Sequence, residues 1–261
     1  MSAALSIAVA GQGPDLALIH GWGYDSSVFA TVADRLAARC RVHLVDLPGY
    51  GRNRELAVLP LPELADRLRE ALPAGTTLCG WSLGGQVALS ALAKSPRHFP
   101  RLALVSSTPR FVSNGDWPHG IAPVLLTGFA RALKADAAGL MSRFGTLVNQ
   151  GDVSARELTR LLAGAVRERL AGPEALAQGL DWLRDLDFRP LLGKIGHPVL
   201  LMHGAHDPLI PLTAAQAAAA MLPNGRLAVF PAAAHVPFLS DPDGFAGQLG
   251  DFVHQVAASA C

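Results

Sequence analysis

The segment Gly80–Gly85, which reads Gly-Trp-Ser-Leu-Gly-Gly, constrains the fold of this chain more than any other feature of its sequence. It follows a short apolar run, Thr76–Cys79, and precedes Gly85–Lys94, where apolar residues recur at helical spacing. A serine at such a strand-to-helix junction is held in a tight turn, because the flanking glycines let the strand and the helix approach closely. Its hydroxyl then projects above the sheet at the helix N-terminus. We therefore predict that Ser82 is a nucleophile; an ordinary glycine-rich turn is the alternative interpretation.

Short apolar runs recur along the chain, and each ends on or near a glycine, proline or aspartate. Their length and boundaries predict strands that are buried on both faces. Stretches with helical spacing lie between several of them, and this alternation predicts an α/β protein with a mostly parallel, doubly wound sheet covered by helices. The predicted strands are Leu16–Ile19, Val42–Leu47, Thr76–Cys79, Leu102–Ser106, Val199–Met202 and Leu227–Phe230. The predicted helices between them are Val28–Ala38, Pro62–Ala71, Gly85–Lys94 and Ala214–Met221.

The stretch from about Pro109 to Arg189 has no convincing strand pattern. We expect residues 1–108 and 190–261 to form one α/β core, and residues 109–189 to form a helical cap inserted into it. An insertion is a simpler interpretation than a second domain for a chain of this length. The predicted cap helices are Pro123–Lys134, Ala137–Val148, Ala155–Leu170 and Pro173–Arg184.

A serine hydroxyl is a poor nucleophile until a base takes its proton, so the nucleophile hypothesis requires a histidine. In triads built on this kind of turn, the order along the chain is serine, acid, histidine. His235 lies late in the chain, after the run Leu227–Phe230 and next to apolar residues, and is predicted to be the general base. Asp207 lies a few residues beyond Val199–Met202 and is predicted to accept the other imidazole N–H.

Alternative interpretations remain for both residues. His235 could be a structural loop histidine, and Asp207 could simply cap the helix that follows it. Three other aspartates could then supply the carboxylate: Asp181, Asp185 and Asp187.

The tetrahedral intermediate of such a reaction needs two preorganised N–H donors. One comes from the residue after the nucleophile, here Leu83, and the other from a loop after an early strand. Trp22 occupies the second place, in the turn His20–Gly23, which reads His-Gly-Trp-Gly. We predict that the amides of Trp22 and Leu83 form the oxyanion hole, whereas the Trp22 side chain is read as a packing residue.

Composition excludes several classes of partner. The chain has 261 residues, a formal net charge of +1 and only 16% charged residues, so no overall field attracts nucleic acid or an anionic membrane. The first ten residues contain no basic region, and their apolar run ends at Gly11, too early for a membrane span. The cysteines Cys40, Cys79 and Cys261 lack metal-ligand spacing and fit free thiols in a reducing compartment. We expect a cytoplasmic protein.

Neither a metal nor a nucleotide cofactor is expected. The turn Asp46–Arg52 contains glycines, but it lacks the Gly-Lys-Ser/Thr of a phosphate loop and the Rossmann spacing. We interpret this turn as structural support beside the active site. His203 and His206 lie next to Asp207, but no third metal ligand stands at a suitable spacing.

Five segments together resemble one family. They are His20–Gly23, Asp46–Arg52 (Asp-Leu-Pro-Gly-Tyr-Gly-Arg), Gly80–Gly85, Asp116–Pro118 (Asp-Trp-Pro) and Ala234–Phe238 (Ala-His-Val-Pro-Phe). Over about residues 11–252 the chain resembles the BioH family, the pimeloyl-[acyl-carrier protein] methyl ester carboxylesterases of biotin synthesis. The serine turn and the His-Gly turn indicate only an α/β-hydrolase, whereas Gly-Trp-Ser-Leu-Gly-Gly and Asp-Trp-Pro together are typical of this family.

The resemblance implies an α/β-hydrolase fold and hydrolysis of the methyl ester of a pimeloyl chain on acyl-carrier protein, with release of methanol. It also implies that basic cap residues face the acidic carrier and its phosphopantetheine arm, and the matching positions are Arg143, Arg156 and Arg160. Phe144 matches a position lining the acyl channel. An ordinary solvated helix face is the alternative for the arginines, and a core aromatic is the alternative for Phe144.

Two positions depart from the family pattern. Gly139 stands where a basic residue is expected, and Asn53 stands where a serine is common. These departures bear on carrier recognition and leave the predicted triad intact.

Other functions compete with this interpretation. A general short-chain carboxylesterase or lactone hydrolase would use the same triad on small ester substrates without a carrier. An acyltransferase or a thioesterase would share the acyl-enzyme intermediate. A non-catalytic binding protein on the same scaffold would have no need for an intact nucleophile, base, acid and oxyanion turn.

Overall fold

Seven strands form one sheet in the order β1-β3-β2-β4-β5-β6-β7 in the computed structural model, which describes residues 4–255. The neighbours from β3 to β7 pair in parallel, and β1 pairs antiparallel with β3. The mostly parallel sheet predicted from the sequence is confirmed. The strands are β1 (Ile7–Ala10), β2 (Asp15–Ile19), β3 (Arg41–Val45), β4 (Thr77–Trp81), β5 (Arg101–Val105), β6 (Val199–Gly204) and β7 (Gly225–Phe230).

Helices cover both faces of this sheet. The chain moves from β2 outward to β3 and then back across β2 to β4, so right-handed crossovers place the two connecting helices on opposite faces. The helices are α1 (Ala30–Leu36), α2 (Leu61–Ala71), α3 (Leu83–Lys94), α4 (Pro123–Ala135), α5 (Ala137–Leu147), α6 (Ala155–Glu168), α7 (Pro173–Asp185), α8 (Arg189–Leu192), α9 (Leu212–Met221), α10 (Pro237–Ser240) and α11 (Pro242–His254). On one face α1 packs against α11, and on the other α2 packs against α3.

The two outermost strands differ from the sequence-based expectation. Strand β1 was not predicted, because its short run Ile7–Ala10 is only half-buried and lies at the sheet edge. The run Leu227–Phe230 was predicted to be buried on both faces, which is wrong. It belongs to the other edge strand, β7, where only Phe230 is buried and Val229 is exposed.

The helices α4 to α7 all lie between β5 and β6, and the two ends of this stretch meet. The amide of Phe188 donates to the carbonyl of Pro109 at 2.8 Å. Beside them the guanidinium of Arg110 lies 3.1 Å from the carboxylate of Asp187. A chain segment whose ends close on each other is what an insertion into the sheet requires; its exact limits, 109–189, stay a prediction.

Apolar residues from the sheet and its covering helices form one continuous core. Cys40 and Cys79 are free and buried within it, and Cys261 lies outside the described residues. No helix within residues 4–255 combines the length and the apolar character needed to cross a membrane. The expected cytoplasmic location stays a prediction.

Candidate active site

Ser82 lies at the sharp turn between β4 and α3. Its backbone has φ 53° and ψ −117°, in the region that a non-glycine residue rarely adopts. The turn is held by neighbours: the Ser82 amide donates to the carbonyl of Val105 at 2.9 Å, and the Ser107 hydroxyl donates to the carbonyl of Ser82 at 2.8 Å. A strained serine fixed at the carboxyl end of a central strand is the arrangement that the sequence predicted.

The glycines of this turn are required by close backbone contact. A side-chain carbon added to Gly80 would lie 2.2 Å from the carbonyl oxygen of Gly84, and one added to Gly84 would lie 2.3 Å from that of Ile19. Helix α3 therefore begins directly against the ends of β4 and β2. This contact brings the helix N-terminus, with its partial positive charge, under Ser82.

His235 and Asp207 meet at the same edge of the sheet as Ser82. Ser82 follows β4, Asp207 follows β6 and His235 follows β7, and the carboxyl ends of parallel strands share one edge. The Nδ1 atom of His235 lies 2.7 Å from Oδ2 of Asp207, and both side chains are fully buried. The Trp81 indole N–H, one residue before Ser82, donates to the carbonyl of His235 at 2.9 Å.

Asp207 is held as a carboxylate. Its Oδ1 accepts the amides of Leu209 and Ile210, each at 2.9 Å. Burial alone would raise the pKa of Asp207, but the adjacent His235, the hydrogen bonds and His203 together hold that pKa below its ordinary value. A charged acceptor in this place fixes the proton of His235 on Nδ1 and leaves Nε2 free to take a proton.

The Nε2 atom of His235 is buried and forms no hydrogen bond within residues 4–255. The imidazole is covered by the Trp81 ring, whose centroid lies 5.7 Å from its own. A ring nitrogen that is shielded from water and has no other hydrogen-bond partner, beside the turn that carries Ser82, is suited to general base catalysis.

The buried His203 side chain is hydrogen-bonded within the loop that contains Asp207. Its Nε2–H donates to the carbonyl of Ile210 at 2.7 Å, and the ring lies beside Asp207. Burial lowers the pKa of His203, more than the charge of Asp207 raises it. Its neutral form therefore supports the loop that follows Asp207. In the described part of the chain no three His, Cys, Asp or Glu side chains are grouped as metal ligands would be.

The turn that carries Trp22 lies against the nucleophile. A side-chain carbon added to Gly21 would lie 3.2 Å from Cβ of Ser82. In the described turns and helix caps, neither the Trp22 amide nor the Leu83 amide donates a hydrogen bond to the backbone. Both predicted oxyanion donors are therefore uncommitted and close to Ser82; their role stays a prediction.

The Trp22 side chain links this turn to the helices between β5 and β6. Its indole N–H donates to the carbonyl of Leu176 in α7 at 2.8 Å. The Phe144 ring of α5 packs edge-on against it, with centroids 5.0 Å apart. Phe144 is buried, as a core aromatic would be, and it also borders the oxyanion turn. Its predicted place in an acyl channel stays a prediction.

The turn Asp46–Arg52 is bonded to the His20–Gly23 turn, since the Leu47 amide donates to Nε2 of His20 at 3.0 Å. The buried Asp46 carboxylate accepts the amides of Ser26 at 2.7 Å and Arg52 at 2.9 Å. The Asn53 side chain, which departs from the family pattern, donates to the carbonyl of Asp46 at 2.6 Å. The structural role predicted for this turn agrees with these contacts.

The three arginines predicted to contact a carrier lie at the surface. Arg143 in α5 is exposed, as are Arg156 and Arg160 in α6, and none of the three forms an ion pair with the described side chains, those of residues 4–166 and 169–255. A depression between these two helices is lined by Arg156 and Gln150. Gly139 lies in the first turn of α5, where its amide donates to Asp136.

Sequence reasoning missed one buried carboxylate at this site, Asp152, which lies between α5 and α6. It accepts the amide of Ala234, the residue before His235, at 3.0 Å. A single aspartate in a helix connection carries no pattern that a sequence could reveal, because its partner is 82 positions away.

Comparison with known proteins agrees with this geometry. A family model described as "alpha/beta hydrolase fold" matches residues 16–242. The chain is 40% identical to a pimeloyl-[acyl-carrier protein] methyl ester esterase of Nitrosomonas europaea, with 93% of this chain and 97% of that protein covered. It is 42% identical to a protein of the same name from Stenotrophomonas maltophilia strain K279a, with 95% and 96% covered.

Solved structures agree on the fold. The esterase from Exiguobacterium antarcticum superposes with a TM-score of 0.84 over 96% of each chain, at 24% sequence identity. At this identity the likeness concerns the fold alone.

Proposed function

This chain belongs to the α/β-hydrolases and, within them, to the family of pimeloyl-[acyl-carrier protein] methyl ester esterases, and we propose that it hydrolyses the methyl ester of a pimeloyl chain on acyl-carrier protein. It is a carboxylic ester hydrolase, as predicted from its sequence. The observation that carries the proposal is the buried His235–Asp207 pair at the sheet edge where Ser82 stands in its strained turn. Ser82, His235 and Asp207 are the proposed nucleophile, base and orienting acid.

In the first half of the reaction, Ser82 Oγ attacks the ester carbonyl while His235 Nε2 takes its proton. Collapse of the tetrahedral intermediate breaks the bond to the methoxy oxygen, and His235 returns the proton to that oxygen, so methanol leaves. In the second half His235 takes a proton from water, whose oxygen attacks the acyl-enzyme. Ser82 leaves with the proton, and the free carboxyl end of the pimeloyl chain is released.

The amides of Trp22 and Leu83 hold the oxyanion of both tetrahedral intermediates. Removing one donor of this kind typically costs about 2.7–4 kcal/mol of transition-state stabilisation. The Trp22 turn is braced by α7 and α5, so the position of this donor depends on helices outside the sheet.

Residues 109–189 act as a cap that determines which ester reaches Ser82. The exposed Arg143, Arg156 and Arg160 attract the acidic carrier and fix its orientation. The methyl ester is at the far end of the pimeloyl chain and the thioester is at the near end. A carrier held at the cap would therefore deliver only the far end to Ser82.

The test compares hydrolysis of the carrier-borne methyl ester with hydrolysis of free dimethyl pimelate, in single turnover, at low and high salt. The variants are wild type, Ser82→Ala and Arg156→Ala/Arg160→Ala. We expect the carrier-borne ester to be cleaved faster, with an advantage that falls with salt and in the double variant, because exposed charges are screened. Ser82→Ala should cleave neither ester.

A matched control removes two exposed arginines elsewhere. Arg97 lies shortly before β5, and Arg226 lies at the start of β7. Both are therefore at the amino ends of the parallel strands, whereas Ser82 is at the carboxyl ends. Arg97→Ala/Arg226→Ala changes the net charge equally and should keep the carrier advantage. Equal rates on both esters, indifferent to salt and to Arg156 and Arg160, would leave a general carboxylesterase.

A further inference from the structure

The connection between α5 and α6, residues 148–154, is bonded to the loop that carries the proposed base, residues 232–235. The amide of His235 itself donates to the carbonyl of Val148 at 3.1 Å. The next contact is reciprocal, since an amide of the connection donates to a carbonyl of the loop: Val153 to Ala232, at 3.2 Å. The backbone of the histidine loop is thus paired with a segment from outside the sheet.

Asp152 is the centre of this contact. Its Oδ2 accepts the amide of Ala234 at 3.0 Å, and its Oδ1 accepts the Ser240 hydroxyl at 3.2 Å. Oδ1 also accepts the amide of Ser154, two residues later, at 2.8 Å. The side chain is buried, and burial of a carboxylate is unfavourable unless its oxygens are bonded. The contact to Ser154 is local, whereas the contact to Ala234 reaches the histidine loop and the contact to Ser240 reaches α10.

The connection also approaches the acid of the triad. Gly151 adopts φ +93°, and a side-chain carbon added there would lie 3.1 Å from Cβ of His206, the neighbour of Asp207. Two further contacts hold the loop: the His206 amide donates to the carbonyl of Ala233 at 3.0 Å, and the indole N–H of Trp81, a core residue, donates to the carbonyl of His235. The histidine loop is therefore bonded to the connection, to the neighbour of Asp207 and to the core residue Trp81.

We propose that Asp152 is a positioning residue for the general base. Through the amide of Ala234 it fixes the histidine loop, and so the direction in which His235 Nε2 faces Ser82. A base must be held within hydrogen-bond reach of the proton that it takes, and small displacements reduce the rate steeply. This inference rests on the proposed function, since it takes His235 to be the base.

A matched control separates the positioning of the histidine loop from the loss of a local contact between an aspartate and a backbone amide. Asp136 is the N-cap of α5, and its Oδ1 accepts the amide of Gly139 at 2.8 Å, whereas Asp152 accepts the amide of Ser154, the N-cap residue of α6. It is exposed and distant in sequence from the histidine loop. Asp136→Ala therefore removes a local contact between an aspartate and a backbone amide at the start of a cap helix, without any contact to Ala234.

The experiment measures kcat and KM on a small soluble ester, p-nitrophenyl butyrate, together with the melting temperature. We expect Asp152→Ala to lower kcat at least tenfold with KM within twofold, whereas Asp136→Ala keeps kcat within twofold. Asp152→Asn retains one acceptor oxygen and should fall between wild type and Asp152→Ala. It carries the test if the alanine variant fails to fold. The proposal is overturned if both Asp152 variants keep kcat within twofold, or if Asp136→Ala loses as much.

A second readout does not depend on turnover. The proton on His235 Nδ1, bonded to a carboxylate, gives a far-downfield proton NMR signal, which should shift or broaden in Asp152→Ala and remain in Asp136→Ala. An unchanged signal in folded Asp152→Ala would overturn the positioning role. Failure of the proposed function has a different signature: Ser82→Ala would retain wild-type hydrolysis while the NMR signal responded to Asp152 as expected.

Discussion

His235 donates its Nδ1–H to Oδ2 of Asp207 over 2.7 Å, and solvent reaches neither side chain. The other carboxylate oxygen is occupied by the amides of Leu209 and Ile210. Because every one of these partners is a donor, only a carboxylate satisfies them all. The position of the proton on His235 is therefore set by the loop that surrounds Asp207.

Asp207→Asn should lower kcat by about 10⁴-fold, the loss typical of an amide at this place in a triad. The amides of Leu209 and Ile210 demand an oxygen at Oδ1, so the new amide nitrogen would face His235. The imidazole would then accept through Nδ1 and carry its proton on Nε2, where it cannot take the proton of Ser82. Steady-state hydrolysis of p-nitrophenyl butyrate measures this, with circular dichroism to show an intact fold. A loss below tenfold in a folded variant would assign the acid to another residue.

Gly179→Ala tests the contact between α7 and the oxyanion turn. A side-chain carbon at position 179 would lie 2.5 Å from the indole of Trp22 and 3.2 Å from the side chain of Leu83. Either α7 or the turn must shift, so kcat should fall and the free energy of unfolding should decrease by about 1–3 kcal/mol. Activity and chemical denaturation measured on the same preparation give both quantities.

Gly164→Ala in α6 is the control for that substitution. No neighbouring atom lies within 4 Å of the position that its side-chain carbon would take. A mid-helix glycine replaced by alanine should stabilise the protein by about 0.5–1 kcal/mol and leave kcat unchanged. If Gly179→Ala also stabilised the protein and left kcat unchanged, α7 would not pack closely against Trp22.

Acidification should destabilise the protein through His20, which is fully buried. Its Nε2 accepts the amide of Leu47 at 3.0 Å, and its Nδ1–H donates to the carbonyl of Gly21. Burial lowers the pKa of His20, against the opposing charge of Asp46. In the unfolded chain His20 binds a proton below about pH 6.5, whereas in the folded chain it binds one only at a lower pH. The contribution of neutral His20 to the free energy of unfolding is therefore fully present above about pH 6.5 and is lost as the pH falls toward the lower pKa of the folded state.

The measurement is the free energy of unfolding in urea at a series of pH values from 7.5 downward. A group of this kind contributes a slope of up to about 1.4 kcal/mol per pH unit. His20→Gln keeps an acceptor for Leu47 and cannot be protonated, so its slope below pH 6.5 should be shallower than in wild type. His203, whose pKa is lowered in the same direction, continues to contribute in both proteins. Identical slopes in wild type and His20→Gln would show that His20 binds a proton as readily in the folded chain as in the unfolded chain.

The central part of the fold follows from local pattern, and its edges do not. The runs within β2, β4, β5 and β6 are mostly apolar because both their faces are covered, which makes them visible in a sequence. Strand β1 is formed through its antiparallel pairing with β3, more than 30 residues away, which Ile7–Ala10 does not encode locally. The position of β7 at the edge of the sheet is likewise not encoded locally, so its apolar run predicts a fully buried strand although the strand is half-exposed.

The candidate site divides in a similar way. Ser82 could be proposed as the nucleophile because a strained turn demands particular neighbours in the sequence, and the roles proposed for His235 and Asp207 followed from chain order and the ends of strands. The bracing of Trp22 by Leu176 and the contact of Asp152 with Ala234 join residues 154 and 82 positions apart. Such contacts depend on how the helices between β5 and β6 pack against the sheet. The spacing of apolar residues in the sequence does not specify that packing.

The central claim is that Ser82 attacks the methyl ester while the carrier is still attached to the other end of the chain. Methanol is then the leaving group, so the acyl-enzyme must contain the whole carrier protein. Attack on the thioester would instead release the carrier and leave only a monomethyl pimeloyl group on Ser82.

Intact-protein mass spectrometry after an acid quench of the reaction with pimeloyl-carrier methyl ester distinguishes these outcomes directly. We expect a transient species whose mass is that of the enzyme plus the loaded carrier minus methanol, linked through Ser82 and missing in Ser82→Ala. An adduct with the mass of a monomethyl pimeloyl group alone, or hydrolysis that continues in Ser82→Ala, would show that Ser82 does not attack the methyl ester of the carrier-borne chain.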